Sequence, residues 1–167
     1  AQTNLGIMYD FGRGVPQDMV EAVHWYRRAA EGGHAGAQTN LGFSYSTGRG
    51  VPRDDAEAVR WYRRAAEQGY ARGQTYLAGM YAAGRGVPQD AAEAVRWWRR
   101  AAEQGHARAQ YYLGVMYADG RGVPQDAAEA FRWWRRAAEQ GHAPAQFFLG
   151  AIYEEGRGVT QDAAEAV

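Results

Sequence analysis

Apolar side chains recur along the chain at helical spacing. Ala37, Leu41 and Tyr45 stand four residues apart, which places them on one face of an α-helix. Gly48 follows them, and glycine is the residue that most readily ends a helix with a positive φ. The pattern predicts a first helix, called helix A, at about 35–47.

A second helix, called helix B, is predicted at about 55–68. Pro52 cannot lie in a helix interior, and Asp54 followed by Glu57 is typical of a capping box at a helix start. Gly69 then ends the helix. Because the connections are short, we expect the two helices to run antiparallel.

Helix B has an apolar side and a charged side. The apolar side is formed by Ala58, Val59, Tyr62, Ala65 and Ala66, with Trp61 at its flank. The alanines, together with Gly42 of helix A, let the helices approach closely, while the two rings fill the remaining volume. On the other side, Glu57–Arg60 and Arg63–Glu67 are ion-pair neighbours, so we expect a solvated outer wall.

This pair of helices recurs with a fixed period. Gly-Arg-Gly-Val begins at residues 12, 48, 84, 120 and 156, which are 36 residues apart each time. The period predicts an all-α solenoid of helix-turn-helix repeats, in which each unit buries its apolar face on its neighbours. The units are 1–36, 37–72, 73–108, 109–144 and a partial fifth, 145–167. Because both ends fall within predicted helices, we expect residues 1–167 to be a single array within a longer protein.

The repeated loop has two interpretations. A glycine-rich phosphate cradle lies between a strand and a helix and uses lysine and hydroxyl groups at set positions. Gly-Arg-Gly-Val lies between two predicted helices, and the chain has no Lys. The sequence therefore favours a turn, and only the arginine of the loop stays open as a binding residue.

Composition limits the function classes. The 19 basic and 19 acidic residues balance, so no strong field predicts nucleic acid as a partner. No apolar run is long enough for a membrane span, and the absence of Cys excludes disulfides and cysteine nucleophiles. No cofactor is predicted, and cytoplasmic, periplasmic and secreted locations all stay open.

The motifs A-x-A-Q-x-x-L-G-x-x-Y-x-x-G-x-G-V-P-x-D and A-x-x-W-[YW]-R-R-A-A-E-Q-G closely resemble Sel1-like repeats over the whole chain. The resemblance implies a right-handed superhelix of helix pairs, related to tetratricopeptide repeats, and a bacterial origin. It also implies a non-catalytic adaptor that assembles protein complexes. Helix A is expected to line the concave surface.

Positions that differ between units are candidates for binding, and they concentrate on helix A. The aromatic content rises toward the C-terminus, which suits a groove for a protein or peptide. The candidate partner-binding residues are Asn40, Phe43, Tyr76, Met80, Tyr111, Tyr112, Met116, Asp119, Phe148 and Glu155. The alternative is that the rings, including Phe147, pack on helix B of the preceding unit. The C-terminal part of the groove is also predicted to be acidic.

The loop arginines form a second, weaker candidate site. They are Arg13, Arg49, Arg85, Arg121 and Arg157, a row along one edge that could bind an acidic or phosphorylated peptide. The alternative is that each guanidinium pairs with helix-end carbonyls or a carboxylate of its own unit. We also expect the uncapped terminal repeats to allow end-to-end self-association.

Two alternatives to the scaffold are a carbohydrate-binding module and a hydrolase. A carbohydrate-binding module of the cell envelope would use Tyr76, Tyr111 and Tyr112 to stack on sugars, and would require these rings to be exposed beside polar groups. A hydrolase ranks third, because the sequence shows no nucleophile, base and orienting group together. The histidines at 34, 106 and 142 share one repeat position and are interpreted as framework residues.

Overall fold

The computed structural model describes residues 2–154, and in that range the chain is entirely helical apart from its loops. Nine α-helices occur there: α1 Gln2–Phe11, α2 Met19–Glu31, α3 Ala35–Thr47, α4 Asp55–Glu67, α5 Ala71–Ala83, α6 Ala91–Glu103, α7 Ala107–Asp119, α8 Ala127–Glu139 and α9 Ala143–Glu154. Odd-numbered helices correspond to helix A and even-numbered ones to helix B. The all-α helical repeat fold predicted from the sequence is confirmed.

The predicted helix boundaries agree with the structure to within one residue in the second repeat. Gly48 ends α3 in the left-handed region, with φ of 75°, and Gly69 follows α4 with φ of 83°. Asp54 caps α4, because its carboxylate accepts a hydrogen bond from the Glu57 amide at 3.0 Å.

The capping box differs from the prediction in its second half. The Asp54 amide donates to the Tyr45 carbonyl at 2.9 Å, so its partner is the preceding helix A. The Glu57 carboxylate instead pairs with Arg60. The same amide-to-carbonyl bond joins Asp18 to Tyr9, Asp90 to Tyr81 and Asp126 to Tyr117. The loop therefore returns to the helix that it leaves, which fixes the antiparallel pair.

The second glycine of the loop is a point of contact between repeats. A Cβ atom on Gly50 would lie 2.0 Å from the Met19 carbonyl oxygen, and one on Gly86 would lie 2.2 Å from the Asp55 carbonyl oxygen. Real Cβ atoms do not approach an oxygen this closely. The loop glycine thus allows its backbone to sit directly against the start of the preceding helix B.

Glutamine of the A-x-A-Q motif ties each helix A to the helix B before it. The buried Gln38 side chain donates to the Ala30 carbonyl at 3.1 Å, and Gln74 donates to the Ala66 carbonyl at 3.2 Å. These bonds satisfy carbonyls at a helix end that have no partner within their own helix. The repeat motif is therefore explained by hydrogen bonding between consecutive hairpins.

The described helices form two compact units, unit 1 up to residue 90 and unit 2 from residue 91 onward. In unit 1, Tyr26 and Leu41 are buried among small side chains of α2 and α3. In unit 2, Trp134 is buried among alanines of α8 and α9. Close packing depends on glycine in both units, since a Cβ on Gly42 would lie 2.7 Å from the Tyr62 ring and one on Gly114 would lie 2.6 Å from Trp134.

The charged side of helix B is not simply solvated as predicted, because some of its arginines contact aromatic side chains. The Glu57–Arg60 pair forms, but Arg63 donates to the Tyr81 hydroxyl at 2.9 Å rather than pairing with Glu67. The Arg64 guanidinium lies 4.7 Å from the centre of the Trp61 ring. Arginines of helix B therefore pack on aromatic rings of their own helix and of the next helix A.

Candidate functional site: the helix-A face

One repeat position on helix A distinguishes hairpins whose exposed face has a stacked ring from the hairpin that has a groove. It is occupied by Asn40 in α3, Tyr76 in α5, Tyr112 in α7 and Phe148 in α9. The three aromatic side chains each stack on a ring of the preceding helix B. Asn40 has no ring to contribute, and a groove is present beside it.

In unit 1, Tyr76 lies flat against Tyr62. The ring centres are 5.1 Å apart with an angle of 12° between the planes, and Phe43 contacts Tyr76 at 6.0 Å. The Arg72 guanidinium lies 5.7 Å from the centre of the Tyr76 ring. Burial raises the pKa of Tyr62, so its hydroxyl stays protonated beside Ser46. The Tyr76 ring is therefore held in one orientation while its side chain stays half-buried.

In unit 2, the aromatic side chains form a continuous cluster. Tyr112 stacks on Trp98 at 5.1 Å, and Phe148 stacks on Trp134 at 5.2 Å. Tyr111 contacts both Tyr112, at 5.3 Å, and Phe148, at 5.8 Å. Burial raises the pKa of Tyr111. The alternative made from the sequence, that the rings pack on the preceding helix B, holds for Tyr112 and for Phe148, which keeps 38% of its surface exposed. It does not hold for Phe147, which is 75% exposed and contacts the Phe148 ring edge-on.

The groove of unit 1 lies between α1, α3 and the start of α5 and has a volume of about 260 Å³. Its apolar wall is formed by Ile7, Phe11 and Phe43. Its polar wall is formed by Asp10, Tyr26, Asn40, Arg49 and Arg72. Pockets for drug-sized ligands span about 300–1,000 Å³, so this groove has room for one or two side chains of a partner.

A hydrogen-bonded network fixes the floor of the groove. Tyr26 donates its hydroxyl to one oxygen of Asp10 at 3.1 Å, and Arg49 pairs with the other oxygen at 3.0 Å. Burial, followed by the neighbouring Asp10 charge, raises the pKa of Tyr26, which keeps the hydroxyl protonated. The negative charge of Asp10 is therefore paired with Arg49 within the groove. Arg72 has no carboxylate partner within residues 2–154.

Some predicted site residues lie elsewhere. Met80 and Met116 are 5% and 3% exposed, so they contribute to the core, because their position on helix A faces the neighbouring helices. Asp119 is exposed at the end of α7. Glu155 and Arg157 lie outside the described residues, and so does the acidic end of the predicted groove.

The loop arginines do not behave as a uniform row. Arg49 pairs with Asp10, and Arg85 pairs with Asp55 at 2.6 Å while donating to the Ser46 carbonyl at 2.9 Å. These partners belong to the preceding 36-residue repeat, whereas the alternative interpretation expected partners in the same repeat. These guanidiniums connect adjacent repeats.

The remaining described loop arginines lack such a pair. The Arg13 guanidinium lies 5.3 Å from the centre of the Phe11 ring. Arg121 is exposed without a carboxylate partner in the described part of the chain, because alanine stands at position 91, where the preceding repeat has Asp55. The row therefore splits into residues that join repeats and residues that do not.

Features required by the other two functions are weak. Stacking covers one face of the Tyr76 and Tyr112 rings, and Ser44 is 6% exposed, so the tyrosines are not the open platforms that a sugar needs. The groove of unit 1 contains Asp10 but no histidine. Among residues 2–154, no group of three or more metal-ligating side chains is present.

Sequence reasoning missed three polar residues of the groove: Asp10, Tyr26 and Arg72. Asp10 differs from Ser46, Ala82 and Ala118 at the same repeat position. Asn40 also departs from its repeat position, because α5, α7 and α9 have an aromatic residue there. The two departures together are the signal in the sequence that marks the groove.

The comparisons with known proteins establish the family. The Sel1 repeat model matches the chain over residues 1–34, 35–70, 71–106, 107–142 and 143–167. The protein therefore belongs to the Sel1 repeat family. Sel1 repeat proteins are generally protein-interaction scaffolds.

Solved structures support the same conclusion. The chain is 38% identical to a Sel1 repeat protein from Oxalobacter formigenes, with a TM-score of 0.90, covering 98% of this chain and 67% of the other. It is 44% identical to a protective antigen of uropathogenic Escherichia coli with an SLR fold, with a TM-score of 0.88, covering 95% of this chain but only 34% of the antigen. The chain thus spans about a third of that relative's length.

A more distant structure shows the fold alone. Helicobacter pylori cysteine rich protein B is 20% identical, with a TM-score of 0.63 over 79% of this chain and 95% of the other. No curated protein matches the chain. None of the helices in the described range has the length and apolar character needed to cross a bilayer.

Proposed function

We propose that the protein is a non-catalytic scaffold that binds a protein or peptide through the helix-A faces of its two units. The observation that carries this proposal is the set of preorganised aromatic side chains at one repeat position. Tyr76, Tyr112 and Phe148 are each held by stacking on helix B while part of each side chain stays accessible.

Preorganisation favours binding in a simple way. A flexible side chain loses about 0.5–1.5 kcal/mol of free energy when it is immobilised at an interface. Stacked rings have already lost that freedom in the free protein, so a partner gains contact area at low entropic cost. The chain's balance of 19 basic and 19 acidic residues also fits a protein partner better than a nucleic acid.

A random peptide library displayed on phage, selected on the immobilised 167-residue chain, tests the proposal. We expect enriched peptides whose affinity falls about fivefold or more when Tyr76→Leu or Tyr112→Leu is introduced, because leucine keeps apolar volume but removes the aromatic surface. Val20→Ser is the matched control, since Val20 is 66% exposed on α2 and is not part of the helix-A face.

Two results would contradict the proposal. One is the absence of enrichment above the empty support. The other is a set of peptides whose affinity is lowered by Val20→Ser as much as by the tyrosine variants. Circular dichroism of every variant establishes that a lost interaction is not lost folding.

A further inference from the structure

The groove of unit 1 contains more positive than negative charge. Arg49 and Arg72 both line it, whereas Asp10 is its one carboxylate. Arg13 lies close to its rim, because its guanidinium is 5.3 Å from the ring of Phe11. Since Asp10 is already engaged by Arg49 and by the Tyr26 hydroxyl, it cannot also neutralise Arg72. The groove therefore attracts a carboxylate.

Hydrogen-bond donors for a carboxylate are present on two of the helices that line the groove, α3 and α5. Arg72 lies in the first turn of α5 and offers a planar set of N–H groups. Asn40 is half-buried in α3, and within residues 2–154 its side-chain amide makes no hydrogen bond. Because Asn40 keeps part of its surface exposed, its amide N–H groups are open to a ligand oxygen.

The other side of the groove is apolar. Ile7 and Phe43 line it, and Phe11 is 58% exposed at its edge. A simple inorganic anion would leave this wall uncovered. A chain segment that carries an apolar side chain next to a carboxylate would satisfy both walls within about 260 Å³.

We infer that this groove binds an acidic peptide segment, with the carboxylate held by Arg72 and Asn40 and an adjacent apolar side chain packed on Ile7 and Phe43. The inference rests on the proposed scaffold function and gives one of its faces a defined ligand chemistry. It differs from the sequence prediction of an acidic C-terminal groove, and it assigns the acidic ligand to Arg72 and Asn40 rather than to the row of loop arginines.

The binding test uses fluorescein-labelled peptides of glycine and serine with Leu-Glu at the centre, acetylated and amidated, measured by anisotropy. We expect the Leu-Glu peptide to bind at least tenfold more tightly than its Leu-Gln counterpart, because a charge-assisted hydrogen bond is lost. A Ser-Glu peptide is expected to bind about fivefold more weakly than Leu-Glu. A peptide ending in a free Leu carboxylate distinguishes a chain terminus from an acidic side chain as the source of the charge.

Two variants test whether the peptide binds in the groove. Arg72→Gln is expected to weaken Leu-Glu binding about tenfold and to remove the preference over Leu-Gln. Arg108→Gln is its matched control, because Arg108 has the same place one repeat later, 5.7 Å from the Tyr112 ring centre as Arg72 is from Tyr76. The control should change affinity less than twofold.

The second variant, Asn40→Tyr, installs the residue type found at this position in α5 and α7. Its ring is expected to occupy the groove over Tyr26, as Tyr76 occupies the equivalent place over Tyr62. Binding should be lost while the melting temperature is unchanged or raised, which separates a filled groove from a misfolded one.

Several outcomes would overturn the inference. Equal binding of Leu-Glu and Leu-Gln peptides would exclude carboxylate recognition, and equal effects of the two arginine variants would place the peptide elsewhere. Competition by acetate as strong as by unlabelled Leu-Glu peptide would show a site for small carboxylates. If Asn40→Tyr has no effect while Tyr112→Leu weakens binding, the groove is wrong and the scaffold function stands. If the groove variants act as expected but no library peptide depends on the stacked tyrosines, the groove inference stands and binding through the aromatic faces is wrong.

Discussion

The helix-A faces of the two units are built on one framework but end in different surfaces. In unit 1, Tyr76 stacks on Tyr62, but Asn40 and Tyr26, one repeat earlier, line an open groove with a charged floor. In unit 2, Tyr112 covers Trp98 and Phe148 covers Trp134, so the corresponding space is filled by stacked rings. A single side chain at one repeat position therefore decides whether a hairpin offers a groove or an aromatic surface.

The comparison also separates what holds the repeats together from what distinguishes them. Glutamine hydrogen bonds to the preceding helix B occur in both units, at Gln74 and at Gln110. The close approach of the loop glycine occurs in both as well, at Gly50 and at Gly122. Surface chemistry can thus vary along helix A without changing the contacts that stack the hairpins.

The largest expected effect tests the shared framework. Gly50→Ala places a methyl group 2.0 Å from the Met19 carbonyl oxygen at φ of 71°, and Gly122→Ala places one 2.4 Å from the Ala91 oxygen at φ of 73°. We expect each to lower the free energy of unfolding by about 3 kcal/mol or more, measured by urea denaturation.

Gly69→Ala is the control for backbone strain alone. Its φ is 83°, but no atom lies within 4 Å of the added methyl group, so a loss of about 1–2 kcal/mol is expected. A loss at Gly50 no larger than at Gly69 would contradict the steric argument. Losses of very different size at Gly50 and Gly122 would contradict a framework common to both units.

The next prediction converts the surface of unit 2 toward that of unit 1. Tyr112→Asn removes the ring that stacks on Trp98 and should lower the free energy of unfolding by about 2–3 kcal/mol, because buried aromatic contact is lost and a cavity is left. Urea denaturation measures the loss, and tryptophan fluorescence reports the new exposure of Trp98.

Tyr112→Phe is the matched control, since it keeps the ring and removes only the hydroxyl. A loss below about 0.5 kcal/mol is expected for it. If Tyr112→Asn costs no more than Tyr112→Phe, stacking is not what closes the surface of unit 2. The groove of unit 1 would then need an explanation other than the identity of residue 40.

Helix positions and ends were predictable from the sequence because they depend on local chemistry. Proline, the Asp54 cap and the glycine at position 48 act within a few residues of themselves, so their spacing reveals where α3 and α4 begin and end. The repeat period then extended one hairpin to the whole chain.

The candidate site was predictable only in part, because its contacts join residues far apart in the sequence. Asp10 pairs with Arg49, which is 39 positions away. That contact depends on how consecutive repeats stack and on the direction in which each of the two side chains points. A helical wheel puts Thr39 on the side of helix A away from Leu41 and Tyr45, yet Thr39 is 0% exposed in the structure, where α5 also packs against α3. A helical wheel assigns a side to each residue but does not show which side a third helix covers.

The smallest expected effect concerns an ion pair of unit 1 that has no counterpart in the described part of unit 2. Asp55 lies between Arg85 and Arg53, and hydrogen bonds from these guanidiniums lower the pKa of Asp55 to about 2. A carboxylate with a lowered pKa stabilises the folded state above its ordinary pKa near 4 and loses that contribution as the pH falls toward 2. Alanine stands at the equivalent position 91, so Arg121 has no such pair.

Asp55→Asn should therefore lower the free energy of unfolding by about 1 kcal/mol at neutral pH, since the pair is partly exposed, and by progressively less between pH 4 and pH 2. Thermal unfolding of both proteins across this pH range measures the difference. Asp119→Asn is the control, because Asp119 is exposed in unit 2 and forms no ion pair in the described range, and its stability should follow the wild-type curve. A difference between Asp55→Asn and wild type that stays constant down to pH 2 would indicate that Asp55 acts through helix capping or packing, and the two units would then differ in surface shape but not in how charge joins their repeats.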